Sequence, residues 1–94
     1  MKIELWPIER LIPYDNNPRK KQAVNEVANS IKEFGWQQVI TVDKENVIII
    51  GHTRRLAALK LGLKEVPVKV ASELTPEQCR KLRIADNATS AVSE

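Results

Sequence analysis

A run of four β-branched residues at 47–50, followed at once by a glycine, constrains the fold of this chain more than any other feature. Apolar residues without polar alternation predict a short strand that is buried on both faces. Gly51 should end this strand, because a residue without Cβ permits a sharp turn. Leucines then recur at helical spacing from Leu56 onward, and Thr53 is the predicted N-cap of their helix.

The first turn of that helix is the predicted binding site for an anion. The first backbone N–H groups of any helix have no acceptor within the helix, and they favour negative charge. Arg54 and Arg55 lie in this turn, where the helix macrodipole disfavours an exposed cation by about 0.3–1 kcal/mol. An anion bound above the helix end would explain both arginines. The alternative is that they are solvated surface residues.

Composition limits the class of protein. The 94 residues suit a single domain, 1–94, and 43% hydrophobic with 29% charged residues is typical of a globular protein. The net charge of +3 favours an anionic partner, but no long basic run demands nucleic acid. The single cysteine, Cys79, cannot form an internal disulfide, and neither a signal peptide nor a membrane-spanning segment is recognisable. We therefore expect a cytoplasmic domain without a membrane partner.

Hydrophobic periodicity predicts an α+β domain with a small mixed sheet and three main helices, in the order β-α-β-β-α-β-α. Strands are expected at 1–5, 39–42, 47–50 and 66–70, a helical turn at 8–12, and the main helices at 22–34, between Thr53 and Gly62, and from Thr75 to about Asp86.

Three finer expectations concern the second half of the chain. Pro67 should confine its strand to an edge of the sheet or lie among the strand's first residues. The passage from strand to helix to strand over residues 47–70 implies a right-handed crossover. Thr75 and Gln78 should form a capping box at the start of the last helix, while residues 88–94 have little to pack against and should fray.

A loop predicted at 14–21 carries a second basic segment. Asp, Asn and Pro cluster there, which is typical of turns. The loop ends in Arg19, Lys20 and Lys21, which would face the same anion as the helix terminus. The alternative is a solvated loop tip.

Motifs spread over nearly the whole chain form an ordered set. They are Asn17-Pro18-Arg19-Lys20, the segments 30–35, 39–42 and 49–58, Gly62, the segment 66–68, and Ile84-Ala85-Asp86-Asn87. Together they resemble the ParB N-terminal domain, a branch of the ParB/sulfiredoxin superfamily. The sequences Gly51-His52-Thr53-Arg54 and Ala85-Asp86-Asn87 are similar to those in the ParB-like domains of phage proteins and in the domains at the front of DNA methyltransferases.

The resemblance implies a nucleotide site, because ParB domains of chromosome partition bind CTP with magnesium between three conserved stretches. Arg19 falls in the first stretch. Gly51 and Arg54 match the glycine and the second arginine of the family's Gly-Glu-Arg-Arg motif, which holds the triphosphate. The nucleotide- or phosphate-binding residues implied in this way are Arg19, Gly51, His52, Thr53, Arg54 and Arg55.

Asp86 and Asn87 match the family's Glu-Asn pair, which carries the magnesium ion. A carboxylate beside an amide is suitable oxygen ligation for magnesium that bridges phosphates. The chain departs from the family at His52 and Thr53, which replace Glu and Arg, and at Leu56, which replaces a further arginine. The ligand therefore remains open between CTP and another nucleoside triphosphate.

Two functions follow from these residues. The first is a magnesium-dependent, nucleotide-binding regulatory domain in a DNA-associated system such as partition, phage or DNA methylation, either as a binder alone or as a slow nucleoside triphosphatase. A ligand-dependent homodimer and a further domain in a longer protein are both compatible with it. The alternative is a non-specific DNA-binding module, whose contacts with backbone phosphates would come from Arg19, Lys20, Lys21, Arg54 and Arg55.

Other activities are not expected. Nuclease chemistry usually needs several carboxylates that converge on a metal, and no paired Asp/Glu motif is present. Sulfiredoxins carry their reactive cysteine in the glycine turn, where this chain has His52, and Cys79 is predicted to be a small buried hydrophobe. Trp6 and Trp36 could stack on bases, although Trp36 is better interpreted as a core residue.

Overall fold

A four-stranded mixed sheet with helices on both faces organises the chain. The computed structural model describes residues 2–14 and 20–93, with side chains as far as Asp86. The strands are β1 (Ile3–Pro7), β2 (Ile40–Val42), β3 (Ile48–Ile50) and β4 (Glu65–Val70), the helices are α1 (Lys21–Phe34), α2 (His52–Lys60) and α3 (Pro76–Ser93), and a 3-10 turn spans Ile8–Arg10. The strand order is β1-β4-β2-β3. The α+β class, the small mixed sheet and the three main helices are therefore confirmed.

The strand β3 is buried on both faces, as its sequence predicts. Ile48 and Ile49 are both fully buried, and successive side chains of a strand point to opposite faces of the sheet. Ile48 belongs to a cluster that includes Trp6, Ile40 and Ala58 of α2. Ile49 packs in a second cluster, whose other members are Ala71, Cys79, Ile50, Leu74 and Leu82.

The outer edge of β3 is covered by the segment around Ile12. Ile12 N donates to Asn46 O at 3.0 Å, and Ile48 N donates to Ile12 O at 2.9 Å. These two bonds form an isolated parallel bridge between Ile12 and Val47. The bridge leads the chain along β3 towards the start of α2, where Tyr14 lies.

Pro67 occupies the second of its two expected positions, near the start of its strand, although β4 itself is an inner strand. Ala71 N donates to Val42 O in β2 at 2.8 Å. Because N–H groups alternate sides along a strand, the nitrogen of Pro67 would face position 38. β2 begins only at Ile40, so the missing N–H removes no bond from the ladder.

The expected right-handed crossover over 47–70 is wrong. β2 pairs antiparallel with β3 and parallel with β4, so β3 and β4 run in opposite directions. The handedness rule applies to parallel strands. Here the parallel pair is β2 and β4, and both β3 and α2 lie in the connection between them.

The start of α3 forms the predicted capping box. Thr75 N donates to the Gln78 side-chain oxygen at 2.9 Å, and Gln78 N donates to Thr75 Oγ1 at 3.1 Å. The helical backbone extends to Ser93, and the fraying of residues 88–94 stays a prediction. None of the helices in the described part of the chain combines the length and the apolar character that crossing a lipid bilayer requires.

Candidate functional site

The turn at Gly51 sets the start of α2. Gly51 has φ +107° and ψ 25°, a left-handed conformation that costs a residue with Cβ about 1–2 kcal/mol. A Cβ at this position would lie 3.1 Å from Ile40 Cγ1 and 3.3 Å from Ile40 Cα. The glycine is therefore needed both for its backbone conformation and for close packing against β2.

Gly51, and not Thr53, occupies the N-cap position of α2, so the predicted cap is wrong. Gly51 O accepts the first intrahelical bond, from Arg55 N at 2.9 Å. Thr53 lies inside the first turn with only 1% of its surface exposed. Thr53 as a whole is therefore covered by protein, and its contact with a ligand stays a prediction.

His52, the first residue of α2, is buried and connects the helix to Tyr14. Its Nε2 accepts a hydrogen bond from Tyr14 N at 3.2 Å. Nε2 is thus the acceptor in this contact, and the donor is a backbone N–H group. This arrangement supports His52 as a hydrogen-bonding residue, and its contact with a phosphate stays a prediction.

Arg54 lies in the first turn of α2 and faces a cleft. One terminal nitrogen of its guanidinium donates to the Gln38 side-chain oxygen at 2.7 Å. This bond orients the guanidinium, and Gln38 adds no charge of its own to the contact. The cleft has a volume of about 120 Å³ and is lined by Val27, Ser30, Ile31, Gly35, Trp36, Gln37, Gln38 and Arg54.

The other predicted basic residues differ in placement. Arg55 is half-buried, and its Nε is buried without a hydrogen-bond partner among the described residues. Lys20 and Lys21 are exposed at the start of α1. Arg19 lies outside the described residues, so its membership of the site stays a prediction.

Asp86 is half-buried on α3, three residues after Arg83. The side chain of Asn87 lies beyond the last described side chain. Among the residues that the structure describes, no group of three or more His, Cys, Asp or Glu side chains is placed to hold a metal. A magnesium ion that is also bound by phosphates needs only one or two carboxylates from the protein. Asp86 is enough for a site of that kind, but not for a site in which the protein supplies every ligand.

Arg83 fixes α3 to the β2–β3 hairpin, a contact that the sequence did not predict. Its Nε donates to Ile48 O at 3.0 Å, and a terminal nitrogen donates to Asp43 Oδ2 at 2.7 Å and to Val47 O at 3.3 Å. The same guanidinium lies over the ring of Tyr14, 4.6 Å from its centroid. No local pattern could have indicated a contact between residues 40 positions apart.

Asp43 is held ionised in this contact. Its burial acts to raise its pKa, but the hydrogen bond from Arg83, those from the N–H groups of Val47 and Glu45, and the charge of Arg83 together lower the pKa below its ordinary value of 3.8. The carboxylate accepts from Glu45 N at 2.8 Å and from Val47 N at 3.1 Å. Asp43 is thus committed to the hairpin turn and to α3.

The tryptophans and the cysteine have structural surroundings. Trp6 is only 3% exposed, and it lies within β1, one residue beyond the strand predicted at 1–5. Arg10 covers its ring at 4.0 Å. Trp6 therefore cannot stack on a base without leaving the core. Trp36 is partly buried against the main cluster, as predicted, and it also lines the Arg54 cleft. Cys79 is 5% exposed in the second cluster, which confirms it as a small buried hydrophobe.

Comparison with known sequences identifies relatives over most of the chain. The sequence model of the ParB N-terminal domain matches residues 1–88. The chain is 41% identical over 80 residues to the ParB-like nuclease domain-containing protein YnaK of Escherichia coli, covering 83% of this chain and 92% of that protein. It is also 41% identical over 86 residues to the probable chromosome-partitioning protein ParB of Campylobacter jejuni, covering 85% of this chain but only 31% of that protein.

Comparison with solved structures gives the same result. The C-terminally truncated chromosome-partitioning protein ParB of Caulobacter crescentus, complexed with CTP-γ-S, aligns with a TM-score of 0.76 at 30% identity, covering 95% of this chain and 54% of that chain. Sulfiredoxin of Arabidopsis thaliana aligns with a TM-score of 0.70 at 26% identity, covering 87% of this chain and 97% of that chain. The chain thus spans nearly all of the two small relatives and a third to a half of the partitioning proteins.

Proposed function

Because the chain belongs to the ParB N-terminal domain family, we propose that it is a nucleotide-binding regulatory domain of a DNA-associated system such as partition, phage or DNA methylation. The proposal concerns this domain, and the activity of a longer protein that contains it is a further proposal. A cytoplasmic location is part of the same hypothesis, since its ligand and the DNA of such systems are found there.

The observation that carries the proposal is the position of Arg54. It lies in the first turn of α2, where helix geometry directs backbone N–H groups and a partial positive charge outward. Its guanidinium also forms one wall of the cleft that contains Trp36 and Gln38. A ligand with an anionic end and a planar end suits this arrangement, because the phosphates would lie at the helix end and a base in the cleft.

The partners of the phosphates follow from charge and chemistry. Arg54 offers charge-assisted hydrogen bonds to phosphate oxygens. Arg55 adds positive charge in the same turn, and Arg19 is predicted to add more. Asp86 and Asn87 would hold magnesium, which neutralises phosphate charge when bound.

CTP is the first ligand to test, because the Caulobacter partitioning protein was crystallised with CTP-γ-S. The departures at His52, Thr53 and Leu56 leave the choice of base to experiment. Whether the domain hydrolyses its ligand slowly or only binds it is likewise decided by measurement. Nuclease activity is not part of the proposal, since the sequence has no paired Asp/Glu motif.

The test is calorimetric titration of the protein with each of the four nucleoside triphosphates, in magnesium and in EDTA. We expect one triphosphate to bind more tightly in magnesium than in EDTA. Release of inorganic phosphate in the same samples would distinguish a triphosphatase from a binder. If no triphosphate binds in either buffer, the proposed function is wrong, and the DNA-binding module becomes the better hypothesis.

A further inference from the structure

Arg83 is a largely buried arginine that the proposed function does not use. Its side chain is only 11% exposed, and it donates hydrogen bonds to the Asp43 carboxylate and to the carbonyls of Val47 and Ile48. An exposed arginine on α3 would contribute little to the fold, as surface ion pairs generally do. Arg83 is different, because its guanidinium is fixed by several partners on the hairpin at once.

Tyr14 extends this contact to the start of α2. The Arg83 guanidinium lies over its ring at 4.6 Å, while the Tyr14 backbone N–H donates to His52 Nε2 at 3.2 Å. Tyr14 is 53% exposed, so burial in a core does not fix its position. Its ring contact with Arg83 and its backbone bond to His52 therefore hold it in place, next to the bridge that Ile12 makes with β3.

Two parts of the proposed site depend on the same arginine. Asp86 follows Arg83 by three residues, so both lie on the same side of α3. The loop that contains Arg19 begins directly after Tyr14. Contacts of Arg83 consequently bear on the position of Asp86 with respect to the hairpin, and on the position of Tyr14 with respect to His52.

We propose that Arg83 is a positioning residue that couples α3, and with it Asp86, to the anion-binding end of α2 through Tyr14. The coupling is a property of the fold, whereas its use in holding a magnesium-bound triphosphate rests on the proposed function. Arg83 itself does not contact the ligand in this account. It acts by keeping Asp86 and Tyr14 in place.

The coupling is tested first without any ligand, by hydrogen exchange of individual amides followed by NMR. Arg83→Met removes the contacts, and Arg80→Met is the matched control, because Arg80 is an exposed arginine one turn earlier on the same helix. We expect Arg83→Met to accelerate exchange at the Tyr14 amide at least tenfold relative to Arg80→Met, with β4 amides such as that of Val68 unchanged. Equal exchange at Tyr14 in the two variants would overturn the coupling.

A second pair of variants covers the case in which Arg83→Met does not fold. Tyr14→Leu removes the ring that stacks on Arg83, and Tyr14→Phe keeps it; position 14 is half exposed, so both should fold. We expect faster exchange at the position-14 amide in the leucine variant and exchange close to wild type in the phenylalanine variant. The same exchange rate in both would also overturn the coupling.

The use of the coupling is tested with CTP, by the ratio of its affinities in magnesium and in EDTA. We expect Arg83→Met and Tyr14→Leu to lower this ratio at least fivefold, and Arg80→Met to leave it unchanged. A loss of folded protein alone would weaken both affinities by the same factor and leave the ratio unchanged, which would overturn the positioning role. If wild type binds neither CTP nor another triphosphate, the proposed function fails, and the exchange measurements still decide the coupling.

Discussion

Gly51 decides where α2 begins and how closely the turn packs against β2. Its left-handed backbone turns the chain out of β3, and its missing Cβ leaves room for Ile40. The sequence predicts this role well, because a glycine directly after a buried strand is a local signal. It does not predict the N-cap, since a threonine buried in the first turn and a threonine at the cap look alike in sequence.

Replacing Gly51 by alanine should destabilise the fold more than the same change at Gly62. Gly62 also has a positive φ, +74°, but a Cβ there would meet nothing within 4 Å. Both variants should lose about 1–2 kcal/mol from the left-handed backbone, and Gly51→Ala should lose about 1–3 kcal/mol more from overpacking against β2. Urea denaturation measures both free energies of unfolding. Equal losses would mean that the contact with Ile40 is unimportant.

Elements whose signals are local were predicted closely. The boundaries of α1 and of the β2–β3 hairpin differ from prediction by one residue, because periodicity and turn residues mark them. The capping box of α3 was found for the same reason. The inner position of β4 and the antiparallel relation of β3 and β4 could not be read from the sequence, because packing between distant segments decides the order of strands.

The contact between α3 and the hairpin gives the protein a dependence on pH. The pKa of Asp43 is lowered in the folded state. A carboxylate with a lowered pKa contributes stability above its unfolded pKa, near 3.8, and this contribution is lost as the pH falls through the lower folded pKa. We therefore expect wild type to be more stable than Asp43→Asn at pH 6, with the difference shrinking as the pH falls below about 4.

The control for this prediction is Glu77→Gln. Glu77 pairs with Lys81 at 3.6 Å, but both side chains are at least 70% exposed, and such pairs contribute about 0–1 kcal/mol. Its difference from wild type should be small at every pH. Free energies of unfolding between pH 2.5 and 7 provide the comparison. A difference for Asp43→Asn that does not change with pH would show that its ionisation is not linked to folding.

The whole domain was predicted from the order of its motifs more than from any single residue. The fold and the family follow from that order, whereas the place of the anion site stays a prediction. The cleft beside Arg54 and the contact from Arg83 through Tyr14 to His52 do not, because they join residues far apart in sequence. Arg19 and the side chain of Asn87 lie outside what the structure describes, so their place in the site stays a prediction.

Binding of the whole domain to duplex DNA tests the alternative hypothesis, that of a non-specific DNA-binding module. If duplex binding occurs, it should be weak, independent of sequence and strongly sensitive to salt, because phosphate contacts of lysine and arginine release counterions. Affinities for several unrelated duplexes at two salt concentrations measure this, with Lys20→Ala and Lys21→Ala reducing the salt dependence. A strong preference for one duplex would contradict this prediction.

The central claim is that Arg54 and Asp86 act on one ligand. Calorimetric titration with CTP tests it most directly, on wild type, Arg54→Ala, Asp86→Ala and the double variant. In magnesium, Arg54→Ala should weaken binding by about 10- to 150-fold, the loss expected for 1.5–3 kcal/mol of hydrogen bonding to a charged group. Arg80→Ala, which removes an exposed arginine elsewhere, should not weaken it.

Asp86→Ala should bind CTP with the same affinity in magnesium and in EDTA. Wild type should bind it more tightly in magnesium. The double variant should lose less affinity than the two single losses combined, because groups that share a ligand do not act independently. The shared site would be contradicted if wild type bound no triphosphate, or if the two losses were simply additive.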